Sequence, residues 1–268
     1  MAIISLITDF GVQDEYVGAM KAVILGIDPA AVIVDVSHAV RPGDIVQAAF
    51  MLESVYDYFP PGSIHLVVVD PGVGTSRALL FLEAHPHRFL APDNGVLSLA
   101  MGLPVPMSLR RVDNPAWRRS HVSSTFHGRD IMAPAAAHLS RGADVRELGP
   151  ELNPDAVMLL SDLRARPSAD GRITGRVVHI DRFGNLITNI GQAAIRESET
   201  VSAGRSLSIR IGGQVISGLS RTYADGDAGR PLALIGSRGY LEIAVNGGNA
   251  HHYFGIGPGD AVNLWMVE

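Results

Sequence analysis

Apolar and polar positions run with two different periods along the first half of the chain. Ile3 to Thr8 is a short apolar run and predicts a strand. From Asp14 to Ile27, Val17, Met20 and Ile24 recur at helical spacing, with Asp14 placed as a cap and Asp28-Pro29 as the stop. Val32 to Val36 predicts a second strand. From Asp44 to Tyr58, Ile45, Ala48, Ala49, Leu52 and Val55 mark a second helix, which Pro60-Pro61-Gly62 ends. Ile64 to Val69 reads as a third strand, and Leu79 to Leu82 and Phe89 to Ala91 as two more. A helix is expected from about Asp130 to Leu139, with Pro134 placed to kink it. Strands alternating with helices indicate a layered α/β domain over residues 1–162.

The texture changes after Leu160. Residues 163–171, which include Arg164-Ala165-Arg166-Pro167-Ser168-Ala169-Asp170-Gly171, are polar and broken by Pro and Gly, and read as a linker. From residue 172 to 268, short β-rich segments follow one another: 173–180, 186–190, 207–211, 232–235, 241–245 and 262–267. Turn signals at Gly212-Gly213, Asp225-Gly226, Gly247-Gly248 and Pro258-Gly259 separate most of them. This spacing predicts a smaller all-β, barrel-like C-terminal domain.

Composition narrows the chemistry. Hydrophobic residues make up 47% and charged residues 18% of 268 residues, which fits a folded globular chain. Net charge is −5 with no block of Lys or Arg, so a nucleic-acid partner is not expected. Cysteine is absent, which removes disulfides, thiolate metal sites and cysteine nucleophiles and fits a cytoplasmic protein. Lys21 is the sole lysine, so no phosphate-binding Walker lysine motif exists. Met1 to Ile7 reads as a first strand and not as a leader, and no apolar run reaches transmembrane length, so no membrane partner is expected.

Candidate chemistry gathers at the strand ends. Val67-Val68-Val69-Asp70 ends an apolar run in a carboxylate, and Pro71-Gly72-Val73-Gly74 follows. In open α/β sheets functional groups collect just beyond the carboxyl ends of strands. The glycines permit a turn sharp enough to bring Arg77 back towards Asp70. Thr8-Asp9-Phe10-Gly11 ends the first strand in the same way, and an ionised carboxylate there suits a ribose diol. Phe126-His127-Gly128-Arg129-Asp130 supplies a histidine able to act as base, donor or ligand. Pro92-Asp93-Asn94-Gly95 reads as a turn.

In the second half, Asp181-Arg182-Phe183-Gly184-Asn185 offers a carboxylate, an aromatic face and an amide within five residues. The set suits an ammonium, a stacked base and an adenine edge. Ser237-Arg238 offers a hydroxyl and a guanidinium suited to a carboxylate. The close histidine pairs, His85/His87 and His251/His252, lack metalloprotease spacing, so no metal is expected. Gly72-x-Gly74 lacks the third glycine of a dinucleotide fingerprint.

In order, these motifs, with Asp14-x-Tyr16-Val17-Gly18-x-Met20-Lys21 and Asn246-x-Gly248-Asn249-Ala250, resemble the S-adenosyl-L-methionine (SAM) hydroxide adenosyltransferases. These SAM hydrolases are water-using relatives of fluorinase and chlorinase. The resemblance spans Ile3 to the C-terminus. It implies hydrolysis of SAM to adenosine and L-methionine by attack at ribose C5′, with SAM as substrate and no cofactor. It also implies a homotrimer with active sites shared between neighbouring subunits. The family's water-handling set maps to Asp70, Arg77 and His127, and its ribose aspartate to Asp9. Asp181 and Ser237 map to the methionine part and Asn185 to adenine, with Phe183 and Arg238 as wall residues. Gly236 stands where many relatives carry Asn. The competing readings are a halide-using adenosyl transferase, a non-catalytic SAM or adenosine sensor, and a metal-dependent hydrolase.

Overall fold

A computed structural model describes residues 2–201 and 206–267 of the chain. They fall into two compact units, residues 1–161 and 162–268, and each unit has its own hydrophobic core. Among the described residues, the first unit carries a six-stranded sheet and the second a seven-stranded one.

In the first unit the strands are β1 (Ile3–Thr8), β2 (Val32–Ser37), β3 (Ile64–Val68), β4 (Leu79–Ala84), β5 (His87–Pro92) and β6 (Met107–Arg111). The helices are α1 (Tyr16–Ile27), α2 (Ile45–Val55), α3 (Ser98–Met101) and α4 (Ala133–Ser140). The sheet order is β2-β1-β3-β5-β4-β6. β2, β1, β3 and β5 run parallel, and β4 pairs antiparallel with β5 and β6. The chain leaves β1 towards β2 on one side, while β3 lies on the other. The carboxyl ends of β1 and β3 therefore flank a topological switch point, where a crevice opens. The Thr8↔Val68 register sets Asp9 one residue and Asp70 two residues beyond that shared edge.

Two expectations change at the helix starts. α1 begins at Tyr16 with Glu15 at its N-cap and no side-chain capping bond, so Asp14 is not the cap. The Tyr16 ring instead packs at 5.7 Å from Phe10 and 5.4 Å from Phe126, and this aromatic contact fixes the helix entry. α2 does start on a capping carboxylate, with Asp44 accepting from Gln47 N at 2.9 Å. Pro134 lies in the first turn of α4 and follows a π-helical turn over Gly128–Met132. Its missing N–H leaves the Asp130 carbonyl without a helical donor. Arg119 N–H supplies one at 3.0 Å, so the proline sits in the element without an orphaned carbonyl beneath it.

Two buried histidines of this unit, His65 and His87, share a polar chain with Ser5. Ser5 Oγ meets His65 Nδ1 at 2.8 Å, and His65 Nε2 faces His87 Nδ1 at 3.4 Å. Phe59 and Phe89 rings lie about the His65 imidazole, at 5.2 and 5.1 Å. Burial, with His87 beside it, pushes the His65 pKa down to about 3.

The second unit contains β7 (Ile173–Ile180), β8 (Leu186–Gly191), β9 (Ser206–Ile211), β10 (Gln214–Ser217), β11 (Pro231–Ile235), β12 (Tyr240–Val245) and β13 (Ala261–Val267). Its order is β10-β9-β13-β7-β8-β12-β11, antiparallel throughout, in a nearly closed barrel-like sheet. Among the described residues, α5 (Gln192–Val201) and α6 (Ala250–Phe254) are the α-helices that interrupt the strands. Residues 163–171 pack on this unit, since Leu163 is buried and Ala165 N donates to Asn189 O at 3.0 Å. No helix among the described residues is long and apolar enough to cross a membrane.

Candidate active site

The loop after β3 folds back on itself. Arg77 Nε donates to both Asp70 oxygens at 2.8 Å, and Nη2 donates to Oδ2. The pair is nearly dry, with side chains 5% (Asp70) and 9% (Arg77) exposed. A planar guanidinium fork against a carboxylate fixes orientation as well as charge. The same Nη2 lies 3.0 Å from His127 Nδ1. Arg can only donate, so Nδ1 is the acceptor and the neutral imidazole carries its proton on Nε2. Burial, then the Arg77 charge, pulls the His127 pKa below the ordinary imidazole value, with Asp70 opposing. His127 is therefore a neutral Nε2–H donor at neutral pH.

The local backbone explains why His127 reaches Arg77. The π-helical turn begins at Gly128, directly after His127. A side chain at 128 would meet Val68 Cγ1 at 2.9 Å and Met20 Sδ at 3.5 Å. Only glycine allows this turn to lie against the end of β3. Inside the turn, Arg129 Nε and Nη2 donate to Asp130 at 2.7 and 2.8 Å, and Ser123 N donates at 2.9 Å. Burial alone would raise the Asp130 pKa, but these bonds outweigh it and hold the carboxyl below its ordinary value. Asp130 is thus a structural anion that anchors the segment, and Arg129 also lies 4.8 Å over the Phe126 ring.

A cavity of about 510 Å³ opens at this edge, lined by Asp9, Phe10, Tyr16, Pro42, Gly43, Asp70, Val73, Phe126, His127 and neighbours. Asp9 Oδ2 accepts from Gly43 N at 2.8 Å, which orients the carboxylate at the cavity wall. Behind it, Thr8 Oγ1 meets buried His38 at 2.9 Å, and His38 Nε2 lies 3.0 Å from Asp35. Phe10, Tyr16 and Phe126 form an aromatic wall. Of the residues expected from the sequence, Asp9, Asp70 and His127 line this cavity and Arg77 bonds to the last two, whereas the wall is not among those expectations. The aromatic Phe10 and Phe126 adjoin the polar residues in sequence, and that adjacency was the available signal.

A second cavity, of about 650 Å³, lies in the second unit and is lined by Asp181, Phe183, Asn185, Tyr223, Ser237, Arg238, Glu242, Gly247 and neighbours. Asp181 Oδ1 accepts from Phe183 N and Asn185 N, both at 2.9 Å, and Oδ2 accepts from Asn185 Nδ2 at 3.1 Å. The aspartate therefore shapes its own hairpin and also faces the cavity. Phe183 is 75% exposed, an apolar ring left at the cavity lip. Tyr223 and Glu242 were not anticipated: the phenol donates to Glu242 Oε1 at 2.6 Å. Burial pushes the Glu242 carboxyl up, partly offset by that phenol. A side chain at Gly236 would meet Glu242 Oε2 at 2.3 Å, so the glutamate occupies the space a larger residue there would need. Among the described residues no group of three or more His, Asp or Glu side chains converges as a metal set.

Comparison with known proteins bears on both units. The family model for the SAM hydroxide adenosyltransferase N-terminal domain matches residues 4–149, and that for the C-terminal domain matches residues 175–263. An (R)-S-adenosyl-L-methionine hydrolase from Salinispora arenicola is 36% identical over 262 residues, 97% of each chain. One from Thermus thermophilus is 36% identical over 266 residues, 96% of this chain and 97% of the relative. A fluorinase from Nocardia brasiliensis is 27% identical over 289 residues, 98% of this chain and 96% of the relative. The crystal structure of an uncharacterized conserved protein from Thermotoga maritima superposes with a TM-score of 0.88 at 35% identity, covering 98% of this chain and 99% of that one.

Proposed function

The chain belongs to the SAM hydroxide adenosyltransferase family, and from that membership we propose how its residues carry out SAM hydrolysis to adenosine and L-methionine. Water attacks ribose C5′, the C5′–S bond breaks, and sulfur keeps the electron pair as the neutral thioether of methionine. A sulfonium leaves without a proton, so the chemical burden falls on aligning and deprotonating water opposite the C–S bond.

Asp70, Arg77 and His127 take that role. The His127 Nε2–H donates to the water oxygen. Asp70, whose oxygens keep lone pairs beyond those used by Arg77, accepts from the water and takes its proton as the new C–O bond forms. Arg77 holds both partners in place through one guanidinium. Asp9 binds the ribose hydroxyls. Asp181, Ser237 and Arg238 receive the methionine part, Asn185 the adenine, and Phe183 closes a wall. The hydrogen-bonded Asp70–Arg77–His127 network at the cavity edge carries this reading.

SAM is the substrate, and the reaction as drawn needs no cofactor. Homotrimer assembly, with each active site shared between neighbouring copies, belongs to the same proposal, as does a cytoplasmic location compatible with a cysteine-free sequence. The test is hydrolysis in oxygen-18 water, with and without added halide. The expected product is adenosine labelled at the 5′ oxygen. A halogenated nucleoside as main product, or SAM bound but unchanged, would overturn the reading.

A further inference from the structure

The Pro92-Asp93-Asn94-Gly95 turn has no place in the mechanism above, yet it fastens both ends of the loop that carries Asp70 and Arg77. The last paired residues of β3 are Leu66 against β5 and Val68 against β1. Val69 lies beyond both ladders and immediately precedes Asp70. Its carbonyl is satisfied by a side chain: Asn94 Nδ2 donates to Val69 O at 2.9 Å, within the buried interior. At the other end, Asp93 N donates to the carbonyl of Ala78, the residue after Arg77, at 2.9 Å. Two consecutive residues thus grip the two feet of one loop. Asn94 is itself locked, because its Oδ1 accepts from Val96 N at 3.2 Å, and that bond fixes which way the amide points.

We infer that Asn94 is a positioning residue for hydrolysis, acting through Val69 to set the aim of Asp70. The inference rests on the catalytic reading of Asp70. Asn94 is not among the residues that line the cavity. Its amide stands in for a missing strand, so the carboxylate hangs from a fixed backbone and not from a free loop end. A displacement of the order of 1 Å at such a position costs about 100-fold in rate.

Asn94→Asp tests this closely. It keeps the oxygen that Val96 N–H uses and replaces the donor with an oxygen facing the Val69 carbonyl. The expected result is a kcat for SAM hydrolysis lowered about 10- to 100-fold, with KM and the calorimetric Kd for SAM within about 3-fold. Asn114 makes the same kind of clamp elsewhere, with Nδ2 donating to Glu147 O at 2.8 Å and Oδ1 accepting from Ala116 N at 2.9 Å. Asn114→Asp should leave kcat unchanged. Asn94→Ala serves as the second variant, and circular dichroism normalises each rate to folded protein.

A kcat retained within about 2-fold, or a loss matched by Asn114→Asp, would overturn the inference. So would failure of both Asn94 variants to fold, which would mark the residue as scaffold. Asp70→Ala run alongside separates the two levels. If Asp70→Ala keeps its turnover, the catalytic reading fails; if it loses turnover while Asn94→Asp does not, only the positioning role fails.

Discussion

One hydrogen bond decides which way the His127 proton points. Arg77 occupies Nδ1 as a donor, so protonating the imidazole would set two N–H groups against each other. Burial and the Arg77 charge already lower the His127 pKa from its ordinary 6.5. Turnover should therefore be flat above about pH 6.5 and fall on acidification only below it, and His127→Gln should lack that limb in a kcat–pH profile. The stability linkage has the same sign: the unfolded chain takes up the proton first, so the contribution of His127 is full above about pH 6.5 and is lost as pH falls through the lowered value. A rate that rises on acidification would contradict the neutral-donor role. The two carboxylates should separate kinetically. Asp70→Ala should lower kcat about 100- to 10,000-fold with little change in SAM affinity, while Asp9→Ala should mainly raise KM. Steady-state kinetics with calorimetric binding distinguishes them. Both aspartates were legible in the sequence because each directly follows an apolar strand. Glu242 was not: it sits inside β12 with apolar neighbours, and its chemistry appears only when barrel pairing carries it to Asn185 and Tyr223.

The elements that position the site obey steric rules more than propensity. At Gly128 an added methyl must displace Val68, the residue two before Asp70, or push the π-helical turn outward. Gly128→Ala should cost about 1–3 kcal/mol of stability by chemical denaturation and also lower kcat, because His127 moves with the turn. A stable variant with unchanged kcat would show that the turn has slack. The central strands and both long helices of the first unit could be read from period and breakers, since β1, β3, α1 and α2 each bury an apolar set. β6 could not, because Met107–Arg111 buries only Leu109 and its strand character comes from pairing with β4, distant in sequence. β10 is a four-residue edge strand with Ile216 alone buried. α5 turns its charged face outward and buries Ile195 and Ser198, too narrow a stripe to stand out between strands. The π-helical turn at Gly128–Met132 left no periodic trace, although Gly128 beside His127 and Pro134 six residues on are its chemical marks.

At the scale of the whole molecule, the candidate residues divide between two units with separate cores, four in the first and five in the second. The proposed trimer makes a prediction that no single-copy arrangement shares. A subunit bearing Asp70→Ala keeps an intact second unit, and a subunit bearing Asn185→Ala keeps an intact first unit. If each active site draws its first-unit residues from one copy and its second-unit residues from the next, mixed trimers contain sites in which both contributions are unaltered. With random equal mixing in a closed ring, about one site in four meets that condition, so coexpressed variants should recover about a quarter of wild-type turnover. Asp70→Ala alone should keep at most about a hundredth of wild-type turnover, and Asn185→Ala alone should be nearly inactive at SAM concentrations well below its raised KM, the condition under which the mixed sample is assayed. If every active site were built within one copy, each would carry one lesion and mixing would restore nothing. Sedimentation of the coexpressed sample at the mass of three chains must accompany the recovered activity, because recovery in a dimer would retain the sharing but discard the threefold ring.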